Sequence, residues 1–156
     1  MAAEAVHIVC FGNVWQGDDG FGIHVFRKLA SLSRLPPNVR LFEAGISGLG
    51  ALNYFENCTK VILVDAVQSG GGEIGRVQRL AADDLALPAD ELSIHNVGVN
   101  HLLAFLAARP GGEALPELVL VGAEIGPVKR FADELSEPLQ RAVAVAVLLI
   151  LSECAA

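Results

Sequence analysis

Phe11-Gly12-Asn13-Val14-Trp15-Gln16-Gly17-Asp18-Asp19-Gly20-Phe21-Gly22 is the stretch where one periodicity gives way to another. Before it, Val6 to Phe11 is a β-branched and aromatic run of the kind that fills a buried strand. After it, Phe21, Val25, Phe26 and Leu29 return at helical spacing. The passage reads as strand, turn and helix. Glycine at 12 and 17 allows positive φ or close backbone approach, and Asp18 or Asp19 is placed to cap the helix that follows. The Gly12 to Gly17 spacing imitates a phosphate loop, but Asp18 and Asp19 stand where that motif carries Lys and a hydroxyl residue. Two carboxylates there use the helix dipole themselves and repel a phosphate. Gly12-Asn13-Val14 also lacks the Gly-x-Gly of a dinucleotide turn. The loop therefore suits a cation or an exchangeable proton, not a nucleotide.

Outward from this loop, strands and helices alternate. The first helix ends near Ser33 to Pro36, where Pro36-Pro37 stops it, and Val39 to Phe42 forms a second strand. Glu43-Ala44-Gly45-Ile46-Ser47-Gly48 makes another glycine-bearing turn, followed by a helical run through Leu49, Leu52, Tyr54 and Phe55 with Ser47 as its expected cap. Lys60 to Ala66 is a buried strand that closes on Asp65. Gln68 to Gly75 reads as a surface loop, Gly75 to Leu80 as an edge strand, and Ala81 to Glu91 as acidic and irregular. Ser93-Ile94-His95-Asn96 leads into a helix carrying Val99, Leu102, Leu103 and Leu106. Leu118 to Val121 is a last strand, ending in Gly122-Ala123-Glu124-Ile125-Gly126-Pro127. A final helix runs from Glu134 to Cys154 with a break or bend expected at Pro138. This order predicts an α/β fold: a three-layer α/β/α sandwich around a mainly parallel, twisted sheet of about five strands, with 1–156 as one domain.

Composition agrees with a sheet covered on both faces. Of 156 residues, 53% are hydrophobic and 19% charged, and the mean hydropathy is +0.48. A net charge of −7 and a pI near 5.0 disfavour nucleic acid and an anionic membrane surface as partners, since both require clustered Lys and Arg. Cys10, Cys58 and Cys154 are odd in number and lack CxxC spacing, which indicates neither a disulfide framework nor a thiolate zinc site and makes the cytoplasm the simpler compartment. Met1 to Val6 carries Glu4 and no basic region, unlike a signal peptide. Ala142 to Leu151 is shorter than the about 20 residues a bilayer requires, so a helix buried on the sheet is expected there.

Three positions then carry acid or imidazole at strand ends or helix starts: Asp19, Asp65 and His95. Parallel topology can gather such positions at one edge of a sheet. Two carboxylates and one imidazole make an incomplete shell for a divalent transition metal, with positions left for water or substrate. Each also has an ordinary alternative, the aspartates bonding to turn amides and His95 being satisfied locally. His7, His24 and His101 fall inside apolar elements or on a different helix face and are not expected as ligands. No Ser or Cys has a convincing His and acid partner, and no HExxH is present. Water attack with a carboxylate as base remains, the metal either polarising a scissile carbonyl or positioning it. Asp18 can cap the helix, orient a ligand or act as base, in that order, and Asn13 can hold the loop by bonding its own backbone.

These residues resemble the hydrogenase maturation proteases, endopeptidases that trim the C-terminus of [NiFe]-hydrogenase large subunits. The match runs from the Gly12 to Gly22 loop through Gly45 and Gly48, Val64-Asp65-Ala66, and His95-Asn96. The resemblance implies a phosphorylase/hydrolase-like fold, with Asp19, Asp65 and His95 as metal ligands and catalytic groups, Asp18 beside them, and Gly12, Asn13, Gly45 and Gly48 against the substrate. It implies that the metal is nickel already installed in the large-subunit precursor, with Zn or Cd able to occupy the same ligands. Cleavage then follows a basic or His residue near the precursor's C-terminal cysteine motif, and a monomer with no nucleic-acid or membrane partner is expected. Two alternatives stand beside it. A peptidyl-tRNA hydrolase-like esterase would need a basic groove, against the −7 charge. A nickel-binding chaperone using the same ligands would leave its partner's mass unchanged.

Overall fold

The sheet is built from strands apolar on both faces. In the computed structural model, which describes residues 4–81, 115–128 and 131–156, these are β1 (Val6–Phe11), β2 (Val39–Gly45), β3 (Lys60–Val67), β4 (Val77–Ala81) and β5 (Glu117–Glu124). Every residue of β1 and β3 is buried, as continuous apolar runs require when both faces are covered. The strand order is β2-β1-β3-β5-β4, parallel throughout except for β4, which runs antiparallel along β5 at the edge. Five strands in a mainly parallel sheet match the sequence reading.

Among the described residues, two helices cover one face. α1 (Phe21–Ala30) and α2 (Glu137–Ala155) bury Phe21, Val25, Leu29, Leu139, Ala142, Ala146 and Ile150 against Ile8, Cys10, Ile62, Val64 and Val121. On the other face Val9, Phe11, Leu63, Val67 and Leu120 pack with Ala51 and Phe55. Those last two belong to a 3-10 run, Gly48–Phe55, where an ordinary helix was expected; Ser47 precedes it but makes no side-chain cap bond. The acidic, irregular stretch from 82 to 91, the helix through Val99 to Leu106, and His95 lie outside the described residues.

The termini of α1 and α2 differ from expectation for local reasons. α1 starts after Gly20, and neither aspartate caps it, because both sit in a 3-10 turn, Gly17–Gly20, that precedes it. α2 begins at Glu137, which puts Pro138 in the first turn, where a missing N–H costs nothing and the fixed φ favours initiation. The helix is not broken there. By length and composition α2 could cross a membrane, yet one face of it lies on the sheet, and near its end Glu153 is anchored. The Glu153 carboxylate takes a 2.8 Å bond from Lys60 Nζ at the start of β3 and pairs with Arg79 of β4. Arg79 foremost, with Lys60, holds the Glu153 carboxyl below its ordinary range against the opposing effect of burial.

Candidate active site

Close backbone packing fixes where the acidic loop sits. A Cβ on Gly22 would lie 2.0 Å from the Phe11 carbonyl oxygen and 2.8 Å from that of Val64, so α1 starts directly against the end of β1 and the middle of β3. Gly12 has φ +149°, and a Cβ there would lie 2.6 Å from the Asp19 carbonyl oxygen. Only glycine lets the loop fold back on itself at this distance. The Gly12 amide donates to the Gly45 carbonyl at 2.9 Å, joining the loops after β1 and β2, and Gly48 opens the 3-10 run just beyond. Asn13 Oδ1 accepts from the Trp15 amide at 3.0 Å, the expected Asx-type turn.

Asp65 and Asp19 meet at this edge. Asp65 is 0% exposed and Asp19 6%. Asp65 Oδ1 accepts from the Ala66 amide at 2.8 Å, while Oδ2 is buried and has no hydrogen-bond partner among the described residues. Burial pushes the Asp65 carboxyl well above the usual carboxylate range; the Ala66 amide opposes this and the charge of Asp19 adds to it. A buried carboxylate with an unmatched oxygen and a second acid near enough to perturb it is costly to fold. Such an arrangement is retained where something cationic or a proton is handled.

Asp18, adjacent in sequence, is committed elsewhere. Its Oδ1 accepts from the Ser136 amide and its Oδ2 from the Ser136 hydroxyl, both at 2.7 Å. It therefore seats the N-cap residue of α2 instead of capping α1. The same docking continues through Gly17 and Trp15, with the Gly17 amide on the Ala132 carbonyl at 2.6 Å and the Ala132 amide on the Trp15 carbonyl at 3.0 Å. Trp15 (66% exposed), Ile46 (72%) and Phe131 (94%) stand in solvent on these loops.

The other candidate nucleophiles and ligands fall away. Cys10 lies in the core of β1, where burial foremost, then the charges of Asp65 and Glu43, pushes its thiol far above the ordinary range. Burial likewise raises Cys58 and Cys154. None of the three is a ready thiolate. His7 Nδ1 bonds the Tyr54 carbonyl at 2.8 Å, and His24 sits in α1 with its pKa lowered by burial. Among the described residues no three His, Cys, Asp or Glu side chains stand together as a metal site. Asp19 and Asp65 are two of the three predicted ligands, and the third, His95, lies outside the described residues.

Sequence reasoning missed Ser136 and Glu124. Nothing in the sequence links Ser136 to a residue 118 positions away. Glu124 carries the same signal as Asp65, an acid at the end of an apolar strand.

Buried acids at the C-terminal edge of a parallel α/β sheet lie where such sheets bind ligands, and comparison with known proteins gives the class. A hydrogenase maturation protease family model matches residues 23–153. The chain belongs to the hydrogenase maturation protease family. It is 33% identical to a putative hydrogenase maturation protease of Methanocaldococcus jannaschii over 159 residues, covering 98% of each chain. It is 31% identical to the hydrogenase expression/formation protein HupD of Rhodobacter capsulatus over 78% of this chain, a match that spans only 57% of that protein. Among solved structures, the hydrogenase 2 maturation peptidase of a Thaumarchaeota archaeon is 32% identical with a TM-score of 0.70, covering 97% of this chain and 98% of that one. The Escherichia coli hydrogenase maturating endopeptidase HybD shares the fold at a TM-score of 0.78 and 22% identity, covering 96% and 91%.

Proposed function

We propose that this chain is the endopeptidase that removes a C-terminal peptide from the nickel-loaded precursor of a [NiFe]-hydrogenase large subunit. The observation that carries the reading is Asp65: a fully buried carboxylate, one oxygen without a partner among the described residues, perturbed by Asp19 at the same sheet edge. Family membership supplies the reaction class. Nickel enters as part of the substrate. Asp19, Asp65 and His95 are the ligands that would recognise it, a mixed carboxylate and imidazole set suited to a divalent transition ion, including Zn or Cd.

Cleavage proceeds by water. The water oxygen attacks the scissile carbonyl, a carboxylate of the Asp19 and Asp65 pair takes its proton, and that proton passes to the departing amine as the C–N bond breaks. A thiol acyl-enzyme is disfavoured by the three cysteines, whose thiols are held protonated. Asp18, with both oxygens on Ser136, acts by holding α2 and the loop together. Gly12, Asn13, Gly45 and Gly48 shape the wall the substrate meets. Exposed Trp15, Ile46 and Phe131 at the same edge suit a protein substrate better than a small molecule. The enzyme acts as a cytoplasmic monomer without nucleic acid or membrane.

Intact mass of a nickel-loaded precursor, with and without this protein, tests the reading, alongside the same precursor lacking nickel. Loss of a C-terminal peptide from the nickel-loaded form alone is expected. Complex formation with unchanged mass across several precursors would transfer the reading to a nickel-binding chaperone.

A further inference from the structure

Asp65 is not the only buried acid at this edge. Glu124, the last residue of β5, is 1% exposed, and its strand pairs with β3 so that Asp65 faces Gly122 and Val67 faces Glu124. Side chains alternate along a strand, and Leu63, Val67, Leu118 and Leu120 share one core, so Asp65 and Glu124 lie on the same face of neighbouring strands. Their bonding is lopsided in the same way. Glu124 Oε1 accepts from the Ser69 amide at 3.0 Å, the Ser69 hydroxyl and the Gly72 amide at 3.3 Å, whereas Oε2 is buried with no partner among the described residues.

The donors all come from the loop that leaves β3 three residues after Asp65. The Glu124 backbone holds the far end of that loop too, its carbonyl accepting from the Gly75 amide at 2.8 Å and its amide donating to the Arg76 carbonyl at 2.9 Å. One residue thus closes both ends of segment 68–75. The fit is tight: a Cβ on Gly72 would lie 2.8 Å from Glu124 Cδ and 2.9 Å from Oε1. The residue after Glu124 ties down the end of β3 as well, the Ile125 amide donating to the Val67 carbonyl at 2.9 Å.

We propose that Glu124 is a positioning residue of the peptidase site, one carboxylate oxygen clamping loop 68–75 so that the strand end bearing Asp65 is held in place. The inference rests on the peptidase reading above. All three donors, two backbone amides and one hydroxyl, converge on one oxygen of the Glu124 side chain, so an amide oxygen serves as well as a carboxylate oxygen. Glutamine keeps the clamp and also removes a buried charge that has no cation beside it among the described residues.

The test compares full-length Glu124→Gln, Glu124→Ala and Gly72→Ala proteins by hydrogen exchange at the Ser69 and Gly72 amides and by kcat and KM on nickel-loaded precursor. Glu124→Gln should hold both readouts within about threefold of the parent. Glu124→Ala should speed exchange and lower kcat by about tenfold each with KM little changed, since several hydrogen bonds to the loop are lost. Gly72→Ala, which pushes on the clamp from the loop side, should follow it, and keeps the test open should Glu124→Ala fail to fold. Loss of kcat in Glu124→Gln with the amides still protected would overturn the proposal, because the carboxylate itself would then act in the chemistry. Faster exchange with unchanged kcat would overturn it as well. A parent protein that cleaves no precursor sinks the peptidase reading, and the clamp then falls if exchange in Glu124→Ala stays at the parent rate.

Discussion

Asp18 and Ser136, 118 residues apart, are joined by two 2.7 Å bonds in which the Asp18 carboxylate accepts both the amide and the hydroxyl of the residue that starts α2. The acidic loop is therefore fixed from two sides, by the strand ends beneath it and by the final helix beside it. Asp18→Ala should cost about 1 kcal/mol, the net worth of such bonds near solvent, with Asp18→Asn keeping part of it. Urea unfolding reads this directly. A loss of processing without any loss of stability would instead give Asp18 a chemical role.

Gly22→Ala places a methyl 2.0 Å from one carbonyl oxygen and 2.8 Å from another, both in buried strands of the sheet. Neither can retreat without shifting β1 or β3. Destabilisation above about 3 kcal/mol, or failure to fold, is expected. An alanine variant melting within a few degrees of the parent would mean that α1 stands off from the strands.

Asp65→Asn keeps an acceptor for the Ala66 amide and removes a buried charge. Stability at neutral pH should be equal to or above that of the parent, while processing of nickel-loaded precursor is abolished. Asp19→Ala and His95→Ala should also abolish processing with the fold retained by circular dichroism. Cleavage surviving in all three variants would remove the metal-recognition model.

Glu153 supplies the acid-sensitive interaction. Its folded pKa lies below the ordinary value of 4.5, so its contribution to stability is complete above that value and is lost as pH falls from there through the folded pKa. Glu153→Gln should cost about 3 kcal/mol at neutral pH by removing the charge opposite buried Lys60, whose Nζ keeps its bond to the Glu153 main-chain carbonyl, and the gap between parent and variant should close as pH drops below the ordinary value. A gap that stays constant down to strongly acid pH would show that the pairs with Lys60 and Arg79 carry no charge-dependent stability.

Much of the sheet could be read in the sequence because both of its faces are covered. Val6 to Phe11 and Lys60 to Ala66 are strands under any register, and β4, whose Gln78 and Arg79 interrupt its apolar residues, sits at the edge of the sheet as expected. The convergence of Asp19 and Asp65 was legible for the same reason, since parallel strands send their ends to one side. Contacts between distant segments were not legible. The Asp18 carboxylate was expected to cap the helix it precedes, but the 3-10 turn Gly17–Gly20 carries it toward Ser136, an encounter only tertiary packing creates. Pro138 pointed to a bend because the final helix was begun three residues too early; once the helix starts at Glu137, the proline initiates it. Leu49 to Phe55 kept helical spacing yet tightened into 3-10 geometry, a difference that apolar periodicity does not encode.

The ion cluster of Lys60, Arg79 and Glu153 has a practical consequence. It brings the end of α2 to the side of the sheet where the strands begin, and there Glu4, Val6, Lys60, Glu117, Cys154 and Ala156 line one shallow pocket of about 220 Å³. Both ends of the described chain thus emerge opposite Asp19 and Asp65. A bead, a fluorophore or a fused carrier attached at either end would leave the loops at 12–19 and 45–48 free to face a large precursor, so captured protein can be assayed while immobilised.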